Sequence, residues 1–147
     1  MSTPFPVIDE LVPHAGSMIL IDAMTAWSEG EASCSLRIRD RAPFVRDGRV
    51  ETVVSIEYMA QAVAACLGYE ALRGGAGVRV GMIIACKRFA AHVPSFAVDD
   101  ALTIEVKCIR GNDTLSHFDC RVLRDGALAS EAVLTLYHAE KPPADIS

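Results

Sequence analysis

The stretch Thr52 to Arg73, TVVSIEYMAQAVAACLGYEALR, decides how the rest of the chain must fold. It is rich in helix-forming residues and apolar on almost every side, yet it carries one acid, Glu57, in its N-terminal half. A helix that is hydrophobic all round is wrapped by its own domain or lies in a membrane. Because Glu57 and Gln61 interrupt the apolar run, and a buried carboxylate is costly unless it is paired or used, we expect a wrapped helix whose acid has a task.

The sequences on either side of this helix have the pattern of β-strands. Residues 18–27, MILIDAMTAW, predict a buried strand, and the alternation over residues 32–38 predicts its hairpin partner. Tight-turn sequences at 111–113 and 124–126 predict an antiparallel meander at the C-terminal end. Strands after the helix are predicted over residues 79–89, 102–110, 115–123 and 127–137. We therefore predict an α+β fold in which a curved antiparallel sheet wraps one long central helix.

Length and composition indicate one acidic domain. With 147 residues, 51% of them hydrophobic, the chain can bury a sizeable core, and we expect a single domain over residues 1–147 with a frayed tail at 138–147. A net charge of -5 without any Lys/Arg-rich run argues against nucleic-acid binding. The N-terminal sequence has no secretory-signal pattern, and the five cysteines form no CxxC pair. We expect a cytoplasmic protein with reduced thiols, no metal site and no membrane span.

Three segments resemble the hot-dog-fold 3-hydroxyacyl-ACP dehydratases. Residues 55–62, SIEYMAQA, resemble the EAMAQA signature on the central helix of that family. Residues 11–22, LVPHAGSMILID, are similar to the LLPHRYPFLLVDR opening, and residues 81–102 resemble the later run that contains A-R-F-K-R-P-V and G-D-Q-L. The resemblance covers about residues 11–137. The opening is most similar to that of the dehydratases of aryl polyene and related specialised lipid pathways, and it implies a hot-dog fold.

One departure from the family pattern bears on the chemistry. In the family, the loop before the helix carries a catalytic histidine in an HFPGxPxxPG motif, whereas residues 44–52 here read FVRDGRVET and contain no histidine. Glu57 matches the position of the catalytic carboxylate. Our candidate for the missing base is His14, which follows a proline in an irregular segment. The alternative for His14 is a structural role in capping a turn.

Dehydration of a 3-hydroxyacyl thioester defines what these residues would do. A base takes the C2 proton, an acid protonates the departing 3-hydroxyl, and donors stabilise the thioester oxyanion. Glu57 is suited to be the acid or a shared acid and base, although a carboxylate near a helix N-terminus is also a favourable structural feature. Gln61, one helical turn later, would orient Glu57 or hold a water; its alternative is a satisfied core amide.

Three further positions are candidates for substrate binding. The backbone N–H groups of Thr52 and Val53, at the start of the helix, would polarise the thioester carbonyl. Gly81 would let the substrate pass close to a strand, or would only relieve crowding there. The sequence has no Gly-rich phosphate loop, metal-ligand cluster or Ser–His–Asp spacing, so we predict no cofactor.

The resulting prediction is a 3-hydroxyacyl-[acyl-carrier-protein] dehydratase of fatty-acid or aryl-polyene-like lipid biosynthesis, which eliminates water to give the trans-2-enoyl thioester. Because the loop histidine is missing, two alternatives stay open. One is a hot-dog acyl-CoA or acyl-ACP thioesterase, in which Glu57 activates water or acts as a nucleophile. The other is a non-catalytic acyl-binding subunit that pairs with an active homologue.

The resemblance also implies partners. It implies a homodimer or higher homo-oligomer, with Glu57 facing a histidine of the other chain. It implies an acyl carrier protein that presents the acyl chain on a phosphopantetheine arm. The candidate contacts for this acidic carrier are Arg46, Arg49, Lys87 and Arg88.

Overall fold

One long helix packs against an antiparallel sheet in the computed structural model, which describes residues 5–12, 18–74, 80–112 and 114–139. The helix, α1, spans Ser55–Arg73 and follows a 3-10 turn at Thr52–Val54. A second 3-10 turn spans Ile8–Glu10 near the N-terminus. The predicted α+β architecture, a central helix on a curved antiparallel sheet, is confirmed.

The described residues form eight strands in two sheets. The larger sheet has the order β1-β2-β6-β7-β8-β4, and every neighbouring pair in it is antiparallel. A small second sheet pairs β3 with β5. The strand bounds are β1 (Ala23–Ser28), β2 (Glu31–Arg37), β3 (Arg49–Glu51), β4 (Val80–Ala91), β5 (Ser95–Ala97), β6 (Ala101–Gly111), β7 (Leu115–Arg124) and β8 (Ala127–Ala139).

The predicted meander is formed by β6, β7 and β8. Asp125 and Gly126 connect β7 to β8, and both have positive φ angles, 53° and 79°. This is the backbone of the two-residue hairpin turns whose twist matches that of the strands. A turn of the same kind, at Asp47 and Gly48, precedes β3, where the family motif would place its histidine loop.

The prediction of a strand over residues 18–27 is wrong in its first half. β1 begins only at Ala23, and residues 18–21 are hydrogen-bonded to α1 instead. The physical reason is the amide of Gln61, whose Oε1 accepts hydrogen bonds from Leu20 N at 2.8 Å and Ile21 N at 3.4 Å. With these N–H groups satisfied by the helix, the segment has no need of a neighbouring strand.

The pair β3–β5 was not predicted. Its centre is the register pair Val50 and Phe96, and both side chains are fully buried. Three-residue strands have too little periodicity to be recognised in a sequence. The pair matters because β3 runs directly into the 3-10 turn that starts α1, and so fixes where the helix begins.

The sheet covers most of α1 but leaves one stripe partly open. Ile56, Ala60, Ala64 and Leu67 are only half-buried, and Val53 at the end of the same stripe is 52% exposed. The helix residues on the opposite side belong to the fully buried core. Glu57 lies on this partly open stripe.

The N-terminal segment crosses the far end of α1. Leu11 is completely buried, and a Cβ atom at Gly68 would overlap its carbonyl oxygen. Glycine is therefore required for this close backbone approach. β8 runs to Ala139, two residues into the predicted tail, and residues 140–147 lie outside the described residues. Among the helices in the described ranges, none is long and apolar enough to span a membrane.

Candidate active site

Glu57 lies in the first turn of α1, and its side chain is half-buried. The chain enters this helix through the turn Thr52–Val54, which continues directly into the α-helical residues. A carboxylate in the first helical turn interacts favourably with the helix dipole. The helix fixes the position of Glu57. Because the stripe around Glu57 is only partly covered, a substrate can reach it.

Gln61 connects Glu57 to the segment before β1. Its Nε2 donates to Glu57 Oε1 at 3.2 Å and to Met18 O at 2.7 Å, while Oε1 accepts from Leu20 N and Ile21 N. The side chain is completely buried. Gln61 therefore does both things that the sequence left as alternatives: its amide is satisfied in the core and one of its donors is directed at the carboxylate.

Hydroxyl groups anchor the start of the helix. Ser55 Oγ donates to Thr52 O at 2.6 Å and lies 2.8 Å from Ser130 Oγ on β8. Thr52 Oγ1 donates to Val93 O at 2.6 Å. Sequence reasoning missed Ser55 and Ser130; the available signal was a small hydroxyl residue at the start of an otherwise apolar helix. These bonds fix the position of the turn that carries Glu57.

The structure places the three further candidates for substrate binding, Thr52, Val53 and Gly81, in different surroundings. Thr52 N donates to Pro94 O at 3.4 Å, so this N–H group already has a partner. Val53 lies on the open stripe that carries Glu57. Gly81 lies on β4, the edge strand of the larger sheet, in register with His138 of β8.

His14, the proposed base, lies outside the described residues. The nearest described residue on its C-terminal side is Met18, whose carbonyl oxygen is bonded to Gln61. Two other histidines, His92 and His117, have partners on neighbouring strands. His92 Nε2 lies 2.7 Å from Glu131 Oε2, and His117 Nδ1 lies 2.9 Å from Thr135 Oγ1.

Three of the five cysteines are buried and are not placed for nucleophilic chemistry. Burial raises the pKa of the Cys34 thiol to about 12, and it also raises the pKa values of Cys66 and Cys120. A thiol that stays protonated is a poor nucleophile and metal ligand. In the part of the chain that the structure describes, no cluster of His, Cys, Asp and Glu has the arrangement to hold a metal ion.

One long helix set against a curved antiparallel sheet is the arrangement of the hot-dog fold, and comparison with known proteins identifies the family. Residues 6–146 match the ApeP-like family, described as ApeP dehydratase. The chain belongs to this family, and it is accordingly a hydro-lyase. No protein with a curated description matches it significantly in sequence.

Solved structures agree on the fold. The dehydratase heterocomplex ApeI:P from Xenorhabdus doucetiae matches with a TM-score of 0.90 and 20% identity, over 97% of this chain and 95% of that chain. A hypothetical thioesterase with coenzyme A from Streptococcus pneumoniae matches with a TM-score of 0.63 and 13% identity, over 79% and 84%. A mutant thioesterase from Pseudomonas aeruginosa matches with a TM-score of 0.57 and 17% identity, over 81% of both chains. The hot-dog fold follows from these likenesses.

Proposed function

We propose that the chain is a 3-hydroxyacyl-[acyl-carrier-protein] dehydratase of fatty-acid or aryl-polyene-like lipid biosynthesis. The observation that carries the proposal is Glu57 on the partly open stripe of α1, held by Gln61 Nε2, in a member of a dehydratase family. An acid in this position can reach a substrate that lies along the helix. The product would be the trans-2-enoyl thioester and water.

In this mechanism, His14 removes the C2 proton and Glu57 protonates the 3-hydroxyl as the C3–O bond breaks. The electron pair of the C2–H bond becomes the new double bond, and the hydroxyl leaves as water. Gln61 holds the carboxylate of Glu57 in place, and the Val53 N–H, at the start of the helix, is the candidate donor to the thioester oxygen. Met18, four residues after His14, accepts a hydrogen bond from the amide that holds Glu57, and this supports His14 as the base.

A basic cavity supports a carrier-bound substrate. Lys87 and Arg88, two of the four predicted carrier contacts, line a cavity of about 280 Å³ together with Arg110 and His117, and no carboxylate lines it. Arg88 has a φ of 57° at an irregularity between β4 and β8, a feature that re-aims side chains. An acidic carrier protein would dock on such a surface although the chain as a whole has a net charge of -5.

The open stripe of α1 and the free edge of β4 support a partner subunit. β4 pairs only with β8 among the described strands, and Met82 and Ile84 on it are 62% and 53% exposed. A long edge strand with exposed apolar side chains is a template for pairing. The partner would be a second copy or, as in the ApeI:P heterocomplex, a different subunit. Either would be able to supply the histidine that the loop before α1 lacks. A monomer in light scattering, with and without the co-expressed homologue, would argue against this assembly.

Dehydration assays test the proposal directly. Purified protein should convert a 3-hydroxyacyl-carrier thioester to the 2-enoyl thioester, measured by the absorbance of the enoyl product. Glu57→Gln and His14→Ala should each lower the rate by about 10²- to 10⁴-fold, the usual contribution of a general acid or base.

Two matched controls accompany these variants. Glu70→Gln makes the same change on the same helix, at a carboxylate whose Oε2 accepts from Gly30 N, and His92→Ala removes a histidine bonded to Glu131. Both should keep activity. Full turnover by His14→Ala would remove His14 from the mechanism, and release of free thiol without enoyl product would identify a thioesterase instead. Binding of the thioester without any turnover, even in the presence of an active homologue, would identify a non-catalytic subunit.

A further inference from the structure

A chain of hydroxyl groups runs from β8 to the turn that starts the helix. Ser130 Oγ lies 2.8 Å from Ser55 Oγ, and Ser55 Oγ donates to Thr52 O at 2.6 Å. A hydroxyl has one hydrogen to donate, whereas a carbonyl oxygen can only accept. Because the hydrogen of Ser55 is used on Thr52 O, Ser130 must be the donor in the bond between the two serines. The chain therefore has one direction, from Ser130 through Ser55 to the carbonyl of Thr52.

This chain is shielded from solvent along its whole length. Ser55 and Ser130 are 0% exposed, and Thr52 is 3% exposed. Hydrogen bonds are electrostatically stronger where water is excluded, and bonds in a chain polarise one another. The carbonyl at its end also accepts from Ser55 N, so two donors meet on Thr52 O. These donors draw electron density towards the oxygen of that peptide group.

The peptide group at the end of the chain is the one that contains the Val53 N–H. The carbonyl of Thr52 and the N–H of Val53 share one planar, resonance-stabilised amide. Donors on the oxygen therefore make the N–H a stronger donor at the other end of the same group. Within the described part of the chain, no hydrogen bond from Val53 N leaves its own helical turn. Val53 lies on the open stripe, one helical turn before Glu57.

We propose that Ser55 and Ser130 are positioning residues of the dehydration, which hold and polarise the peptide group whose N–H binds the thioester oxygen. The proposal rests on the function proposed above, in which Val53 N–H is the candidate donor. Removal of the C2 proton moves negative charge onto the thioester oxygen, so a stronger donor is worth most in the transition state. The two serines act only through the peptide group, because neither is exposed to a substrate.

Turnover of a 3-hydroxyacyl N-acetylcysteamine thioester tests the proposal by separating kcat from KM. One oxyanion donor contributes about 10²- to 10³-fold to kcat. Since each bond of a chain strengthens the next by about 10–30%, Ser130→Ala should lower kcat by about twofold to eightfold and leave KM unchanged. Ser130→Cys, whose thiol is a weak donor, should have a kcat between those of Ser130→Ala and the parent protein. If Ser130→Ala fails to fold, Ser130→Cys carries the same test.

Thr25→Val is the matched control for these variants. It removes a hydroxyl that donates to a backbone carbonyl, Ser33 O, on the hairpin of β1 and β2. This bond is of the same kind as that of Ser55 but ends on a different peptide group. Both kcat and KM should stay at the values of the parent protein.

The carbonyl stretch of a bound thioester is a readout that an anchoring role alone would not change. The probe is a 2-enoyl N-acetylcysteamine thioester, isotope-labelled at the carbonyl carbon and bound to Glu57→Gln, in which turnover is blocked. A donor on a carbonyl oxygen weakens the C=O bond and lowers its stretching frequency. Adding Ser55→Ala or Ser130→Ala to Glu57→Gln should therefore raise the frequency, measured by infrared difference spectroscopy, whereas adding Thr25→Val should leave it unchanged.

The two measurements separate this inference from the proposed function. Unchanged kcat or unchanged frequency in both serine variants, with normal dehydration by the parent protein, would overturn the inference and keep the dehydratase. A frequency that depends on Ser55 and Ser130 in a protein that does not dehydrate the substrate would overturn the proposed function and keep the serine chain. A thioester that does not bind to the chain at all would overturn both.

Discussion

Gln61 is the residue at which fold and chemistry meet, because one amide satisfies the backbone of residues 18–21 and also contacts Glu57. Replacing it with leucine keeps the volume but leaves two N–H groups and one carbonyl without partners. We expect Gln61→Leu to lower the free energy of unfolding by about 3 kcal/mol, as buried unsatisfied groups do. Urea denaturation measures this loss, and hydrogen exchange should show that the Leu20 and Ile21 amides lose protection first.

Glu57→Gln is the control at this scale. It keeps a side-chain oxygen that can accept from Gln61 Nε2, so its stability should stay within about 0.5 kcal/mol of the parent protein. Dehydratase activity, by contrast, should be lost in both Glu57→Gln and Gln61→Leu. If Gln61→Leu unfolded at the same urea concentration as the parent protein, the amide would not be what holds residues 18–21 on the helix.

At the scale of the element, α1 depends on a close approach at its C-terminal half. Because a Cβ atom at Gly68 would overlap the carbonyl oxygen of Leu11, Gly68→Ala must displace backbone rather than a flexible side chain. We expect it to lower the free energy of unfolding by about 1–3 kcal/mol, the usual cost of overpacking. Thermal denaturation measures the change.

Gly74→Ala is the matched substitution at the end of the same helix. Its Cβ would meet Glu70 O at 3.5 Å, an ordinary contact, and Gly74 has a φ of -82°, so this variant should be close to neutral. Equal effects of the two substitutions would mean that helix propensity, rather than the contact with Leu11, decides the outcome.

The elements that the sequence predicts well are those with local causes. The helix and the β6–β7–β8 meander follow from periodicity and from turns such as Asp125-Gly126. The spacing of Glu57 and Gln61 likewise predicts their contact across one helical turn. Residues 18–22 and the pair β3–β5 depend on partners about 40 residues away, such as Gln61 and Phe96, and no local pattern records them. The bond between Ser55 and Ser130 also joins residues that are far apart in the sequence, so no local pattern predicts it.

At the scale of the whole molecule, buried thiol and phenol groups with raised pKa values predict how stability depends on pH. Burial raises the pKa of Cys34 from 9.0 to about 12 and that of Tyr58 from 10.0 to about 12. Below pH 9 both groups are protonated in the folded and the unfolded chain, so their contribution is fully present. Above pH 9 the unfolded chain loses these protons first and therefore binds fewer of them. The free energy of unfolding then falls as the pH rises towards 12.

The steepness of this fall reflects how many groups cause it, and the buried thiols of Cys66 and Cys120, whose pKa values are also raised, contribute to it. Each group that titrates only in the unfolded chain lowers the free energy of unfolding by about 1.4 kcal/mol per pH unit. Urea denaturation from pH 7 to 11 under reducing conditions should give a flat region that ends near pH 9, followed by a steep decline. Cys34→Ala and Tyr58→Phe should each reduce the slope of the decline by about 1.4 kcal/mol per pH unit. The effect of Tyr58→Phe should begin about one pH unit higher, because an unfolded phenol titrates at a higher pH than a thiol. A stability that stays constant up to pH 11, or variants that decline as steeply as the parent protein, would mean that these side chains reach solvent in the folded chain. The buried positions of Cys34 on β2 and Tyr58 on α1 would then be wrong.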